Sequence, residues 1–286
     1  MDRRTEQRPH ESAALAAKLA LYQNSSDALS RHLCQYTVAF VSNGKPGSGT
    51  YVTLGSRLFI VTAAHVLPKS PVDFWLLSHR VRANTDPFPT FVRMGGYPRL
   101  DVGYLEFPCD ETLEFAGTKP CTIHEMDLSG APHLSRPVTL MGAPAGRAIR
   151  RHGKTTFDYI ARVRGYSTVS LHRSEWPAVP SDSRRSRINV DTFLGYPDAG
   201  ITEAASMKPV RLGDAPGLSG GGIWDQGLTP GEVWTPGSAR LFAIQSSWHR
   251  TKRYVRGTLL SHWARLVSRD YPDLRDVIRA DAPCRR

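Results

Sequence analysis

Short β-forming segments, each closed by a turn signal and none followed by a helical partner, fill the middle of this 286-residue chain. Residues 36–41, 50–54 and 58–62 are rich in β-branched and aromatic side chains, and Asn43-Gly44, Pro46-Gly47 and Gly55-Ser56 separate them. The same texture returns at residues 101–107, 137–141, 157–163, 190–194 and 241–247. Such a run cannot cover its apolar faces with helices, so it must close on itself as a barrel or pack as a sandwich.

Helical periodicity is confined to the two ends. Ala14, Leu15, Leu19, Leu21 and Leu29 predict a helix over 11–32, which Asn24-Ser25-Ser26 can break in two. Leu259, Leu260, Trp263, Leu266 and Val267 line one face of a second helix, and Leu274, Val277 and Ile278 add a last turn or two. The expectation is an all-β body with a helix at each end. Residues 168–186, with Pro177, Pro180 and a Ser-Asp-Ser-Arg-Arg tract, read as an exposed loop.

No run approaches eighteen apolar residues, so no membrane-spanning helix is expected. The apolar stretch 13–22 is short and interrupted by Lys18, which argues against a secretory signal and for the cytoplasm. Cys34, Cys109, Cys121 and Cys284 are few and scattered, as expected of idle thiols in a reducing compartment. A zinc site on Cys109, Cys121 and His124 fits no standard spacing, and neither a metal nor a cofactor is expected. The net charge of +11 gathers in three clusters: Arg147, Arg150, Arg151 and Lys154; Arg184, Arg185 and Arg187; Arg250, Lys252, Arg253 and Arg256. Without a nucleic-acid-binding motif these read as a solvated basic face able to attract an acidic partner.

Three local patterns carry chemistry. Gly217-Leu218-Ser219-Gly220-Gly221 offers a serine on a turn whose glycines let backbone N–H groups converge beside its hydroxyl. His65 follows the strand Val61-Thr62 and two alanines, where small neighbours let its ring reach a surface crevice. Asp101 opens the apolar strand Val102-Gly103-Tyr104-Leu105. Each alone has a bland reading: a glycine-rich turn, a structural histidine, a turn aspartate. Together, in the chain order His, Asp, Ser and on a background of short strands, they match one arrangement for nucleophilic acyl transfer. A phosphate loop at Gly44-Lys45-Pro46-Gly47-Ser48-Gly49-Thr50 is excluded by the missing Gly-Lys-Ser/Thr ending and following helix.

On these residues the chain resembles the chymotrypsin/trypsin-like serine peptidases, nearest their bacterial HtrA-like branch. Gly47-Ser48-Gly49-Thr50, Thr62-Ala63-Ala64-His65, Asp101-Val102-Gly103-Tyr104-Leu105, Val138 to Pro144, Pro216 to Gly221 and Phe242 to Trp248 carry the likeness, over about residues 36 to 258. The resemblance implies two six-stranded antiparallel barrels, about 33–130 and 131–258, with a helical extension at 1–32 and a terminal helix at 259–286. It implies His65 as general base, Asp101 as its orienting acid, Ser219 as nucleophile, and the N–H groups of Gly217 and Ser219 as oxyanion hole. Gly213, Asp214, Ser247 and Trp248 would contact a protein or peptide substrate. Gly213, six residues before the nucleophile, would form the floor of a pocket suited to apolar or aromatic side chains, with Asp214 close enough to draw Arg or Lys instead.

Departures from the pattern are informative. Val66 stands where secreted relatives carry a cysteine, and Leu218 where zymogen-type relatives carry an aspartate that pairs with a newly cut N-terminus. The 28 residues after 258 are too few for the peptide-binding PDZ domain of HtrA proteins. The long Asp101–Ser219 separation implies enlarged loops within 145–200. An intracellular serine endopeptidase controlled by a partner protein, for example in a bacterial defence or stress system, is the expectation. A pseudo-protease or binding module that holds a partner in its cleft or on its basic surface is the alternative.

Overall fold

Asn43 and Gly44 adopt φ of 49° and 73°, the left-handed pair that a two-residue type I′ hairpin requires. They join β1 (Thr37–Ser42) to β2 (Lys45–Leu54), paired from Ser42–Lys45 to Thr37–Thr50. The expected turn at Pro46-Gly47 is instead part of β2. Pro46 faces Val41, one step in from the closing pair, so its missing N–H points away from β1. On that other side, β3 (Arg57–Thr62) pairs only as far as Thr50–Val61, and no ladder bond is lost.

The coordinates come from a computed structural model that describes residues 25–70, 74–77, 91–108, 118–144, 149–152, 157–160, 163–177, 189–196, 201–203, 208–210, 217–229 and 233–280. With β4 (Phe74–Leu77), β5 (Arg93–Tyr97) and β6 (Val102–Phe107), the first sheet runs β4-β1-β2-β3-β6-β5. The second is built from β7 (Pro137–Gly142), β10 (Arg164–Val169), β11 (Asp191–Gly195), β14 (Gly222–Asp225), β15 (Arg240–His249) and β16 (Tyr254–Leu259). Its order is β10-β7-β14-β15-β16-β11. Every pairing within both is antiparallel, and a bridge between Ser170 and Leu194 draws the outer strands β10 and β11 together. Two ribbons, β8 (Ile149–His152) with β9 (Phe157–Ile160) and β12 (Ile201–Thr202) with β13 (Pro209–Val210), complete the strands described. Of the strand expected over 157–163, residues 157–160 form β9, 161 and 162 lie outside the described residues, and β10 begins at Arg164.

Each sheet encloses its own apolar cluster: Phe40, Ile60 and Phe107 in the first, Leu140, Phe242 and Val255 in the second. A third cluster lies where the end helices meet the sheets. Helix α1, residues 25–34, buries Leu29 and Leu33 completely, and Tyr36 after it stacks on Trp224 with ring centroids 5.5 Å apart. Residues 11–24 of the predicted helix lie outside the described residues. Helix α2 (Leu260–Asp270) buries Trp263, Leu266 and Val267, and α3 (Arg275–Ala280) adds Ile278. Polar contacts fix the register of this C-terminal segment on the first sheet. Tyr104 Oη donates to Asp270 at 2.9 Å and Tyr271 Oη to Glu106 at 2.7 Å, while Arg57 and Arg93 stack on the Tyr271 ring. No helix among the described residues is long and apolar enough to cross a membrane.

Candidate active site

His65 sits in a single 3-10 turn, Ala64–Val66, directly after β3. Leu67, two residues on, anchors the turn by packing on the facing Gly96 and Gly103; a Cβ at Gly103 would meet both its Cδ1 at 2.7 Å and the Gly95 carbonyl oxygen at 2.8 Å, so glycine is required there. The imidazole is left exposed, 48% accessible, and open to an incoming molecule. Its Nδ1 lies 2.9 Å from Asp101 Oδ2 and 3.0 Å from Oδ1, and its backbone N–H donates to Oδ1 at 3.0 Å. Nε2 bonds to no group among the described residues.

Asp101 reaches the ring from the turn between β5 and β6 with φ of 55°, a left-handed conformation that Asp and Asn tolerate better than other side chains. Its N–H donates to Tyr97 O at 2.9 Å, and Thr258 Oγ1 of β16 donates to the preceding carbonyl of Leu100 at 2.5 Å. The second sheet therefore helps to hold the acid, although the acid belongs to the first.

Ser219 lies on the turn that leads into β14. Gly220 (φ 86°) passes so close to barrel-side backbone that a Cβ there would fall on Thr62 Oγ1 and the Ser48 carbonyl oxygen. That contact sets the nucleophile segment against Thr62-Ala63, two residues from His65. Gly220 N–H donates to Gln245 O at 2.9 Å and Gly221 N–H to Leu218 O at 2.8 Å. By contrast, the N–H groups of Gly217 and Ser219 donate to nothing among the described residues, leaving two backbone donors beside the serine. Ser219 Oγ and the His65 ring make no hydrogen bond to each other among those residues.

Ser247 and Trp248 occupy the far half of β15, past a bulge between Gln245 and Ser247, and both are half-buried. Trp248 packs toward Tyr196, ring centroids 6.1 Å apart. Gly213 and Asp214 lie outside the described residues, as do Arg147, Lys154, Arg184, Arg185, Arg187, Cys109 and Cys284. Cys34 and Cys121 are free thiols whose pKa values are raised by burial, so neither is poised as a nucleophile. No metal-binding group of side chains occurs among the described residues.

Two features escaped the sequence reading. Arg256, counted with the basic surface cluster, points inward and pairs with fully buried Asp191 through two bonds of 3.0 and 2.7 Å. Its backbone carbonyl accepts from Ser246 Oγ at 3.2 Å, beneath the segment that carries Ser247. The strand alternation of 254–259 was the available signal, because it sends Arg256 to the face opposite Val255. The second is Ser48, whose N–H donates to Ser219 O at 2.9 Å; a small polar residue between two strand glycines is weak notice of such a contact.

No protein-family model and no curated protein matches the chain in sequence. Its structure is similar to the crystal structure of a scabies mite inactivated protease paralogue, S-D1. The TM-score is 0.54 at 13% identity, over 88% of this chain and 95% of that one. At that identity the likeness speaks for architecture alone. Taken with the two six-stranded antiparallel sheets and the terminal helices, it gives this chain the two-barrel fold of the chymotrypsin-like proteins.

Proposed function

We propose that the chain is a serine endopeptidase that hydrolyses protein substrates through an acyl-enzyme, nearest in its motifs to the HtrA-like branch. The carrying observation is the His65–Asp101 pair: Nδ1 is held at 2.9 Å by a carboxylate while the exposed ring leaves Nε2 uncommitted. That tautomer lets Nε2 take the Ser219 hydroxyl proton as Oγ attacks the scissile carbonyl carbon. The carbonyl oxygen becomes an oxyanion, to which the N–H groups of Gly217 and Ser219 donate. His65 returns the proton to the leaving amine as the C–N bond breaks. Water, deprotonated by the same ring, then releases the acid and regenerates Ser219.

Substrate would lie along β15 at Ser247 and Trp248. Gly213 favours an apolar or aromatic side chain before the scissile bond, with Asp214 as the route to Arg or Lys. A peptide library decides between them, and a basic preference lost in Asp214→Ala would reverse the assignment. Buried Leu218 offers no carboxylate to a new N-terminus, which supports control by a partner protein rather than by proteolytic trimming.

A second reading, a pseudo-protease that holds a partner in its cleft, draws on the missing Ser219–His65 hydrogen bond and on the inactivated protease with the same fold. A fluorophosphonate probe at high concentration and long incubation separates the two. Labelling of wild type at Ser219 and none of Ser219→Ala supports the peptidase. A wild-type chain left unlabelled supports the binder.

A further inference from the structure

Ser48 is fully buried on β2, and all of its polar capacity is spent on the seam between the two sheets. Its N–H donates to Ser219 O at 2.9 Å. Its hydroxyl donates to Gly217 O at 2.6 Å and accepts from Ala143 N–H at 2.8 Å. Its carbonyl accepts from Thr62 Oγ1 at 2.7 Å, at the end of the strand that delivers His65. One residue thus ties the base-bearing strand, the nucleophile turn and the end of β7 to one point, the last two through its hydroxyl.

We infer that Ser48 is the positioning residue of the oxyanion hole: its hydroxyl fixes the orientation of Gly217 and so aims the N–H of that residue. The inference rests on the acyl-transfer reading above. Gly217 has φ of 92°, a conformation that holds only while the peptides on either side stay put. On its C-terminal side the anchor is the bond from Ser48 Oγ to the Gly217 carbonyl. Remove the hydroxyl, and that carbonyl faces a methyl group in a buried seam. The 217–218 peptide then turns to find another donor, and because glycine's φ and ψ are free, the neighbouring peptide that carries the Gly217 N–H loses the fixed frame from which it was aimed. The donor matters only once the oxyanion exists, so the loss falls on the transition state and spares substrate binding.

The test compares Ser48→Ala, the near-isosteric weak donor Ser48→Cys, and Thr37→Val, in which an equally buried hydroxyl is lost that bonds Leu33 O and not the nucleophile turn. Expected for Ser48→Ala is a kcat lower by about 10- to 100-fold with KM unchanged. A peptide boronate, which forms a tetrahedral adduct, should weaken by the same factor. The pH profile of kcat/KM should keep its acid limb, since the His65–Asp101 pair is untouched. Ser48→Cys should fall between wild type and alanine, and it carries the test if alanine does not fold. Thr37→Val should lose stability and keep kcat. Wild-type kcat and boronate affinity in both Ser48 variants, or an equal kcat loss in Thr37→Val, would overturn the positioning role. A wild-type chain inert to the fluorophosphonate overturns the peptidase reading and this inference with it. A labelled wild type whose Ser48 variants label equally fast overturns the inference alone.

Discussion

Asp101 grips His65 twice, accepting from the ring at Nδ1 and from the backbone N–H of the same residue, at 2.9 and 3.0 Å. The backbone contact fixes where the turn sits and the ring contact fixes the tautomer. Asp101→Asn should keep the first, because Asn also tolerates φ near 55°, and should spoil the second. The expected result is a folded chain slower by about 10⁴-fold, whereas His65→Ala and Ser219→Ala abolish peptide cleavage. Circular dichroism checks the fold and peptide hydrolysis the rate. Wild-type turnover by Ser219→Ala would remove the assignment.

His133, in the segment leading to β7, lies between two carboxylates, with Asp127 and Asp225 each 2.5 Å from a ring nitrogen. Burial pulls its pKa down, but the two carboxylates outweigh burial and hold it at about 9. Burial pushes Asp127 up, and the His133 and Ser129 bonds bring it down to about 2; Asp225 is likewise lowered against its burial. A raised histidine stabilises fully below its unfolded pKa of about 6.5, and that contribution is lost as pH rises through about 9. The lowered carboxylates stabilise above about pH 4 and lose that as pH falls toward 2. From about 6.5 to about 9, at about 1.4 kcal/mol per unit, the alkaline loss is about 3–4 kcal/mol. Melting curves should therefore show wild type falling toward His133→Asn between pH 6.5 and 9.5. A gap that stays constant over that range would contradict the clamp.

The buried Asp191–Arg256 pair supports the strand proposed to bind substrate. Asp191→Asn keeps the shape but leaves a buried guanidinium without its carboxylate, at a cost of about 3–5 kcal/mol. Replacing both with apolar residues of similar volume should recover much of this. Denaturant unfolding of the single and double variants measures the coupling. Because Ser246 bonds to the Arg256 carbonyl, the single variant should also raise KM more than it lowers kcat. Additive losses in the two single variants would show the pair to be energetically idle.

The parts of the molecule legible in sequence are those where a local rule acts alone. Asn43-Gly44 dictates its hairpin, and the spacing of Trp263, Leu266 and Val267 dictates α2. Strand β5 was invisible because Arg-Met-Gly-Gly-Tyr has neither alternation nor β-branching. It forms at a sheet edge, mostly exposed, and its glycines exist to admit the Tyr104 ring and Leu67. Pro46-Gly47 looked like a turn because its tolerance depends on how far β3 extends. The His, Asp and Ser positions were readable because each motif is local. What holds them was not: Ser48, Thr258 and Gly220 act across sheets, through partners 95 to 172 residues away in the chain.

The last expectation concerns control. The extension at 1–32 reaches into the body of the molecule: Leu29 is completely buried, and β10 lies so close to Ser30 that a Cβ at Gly165 would strike its hydroxyl. Removing residues 1–32 would therefore strip the core, and the informative truncation ends at residue 24. That shortened chain should label Ser219 at the same rate as full length, because Leu218 gives a new N-terminus nothing to pair with. Activation should come from an acidic protein. The exposed residues Arg250, Lys252 and Arg253 form the turn between β15 and β16, next to Trp248, and are the natural contact. Opposite charges at such a surface attract over about 8 Å at physiological salt, so raising the salt should weaken activation, and alanine at all three positions should weaken it further. The measurement is the fluorophosphonate labelling rate of each chain, alone and with the products of neighbouring genes, across a salt series. A full-length chain that labels fast alone, at a rate no partner changes, would mean that the cleft is constitutively open.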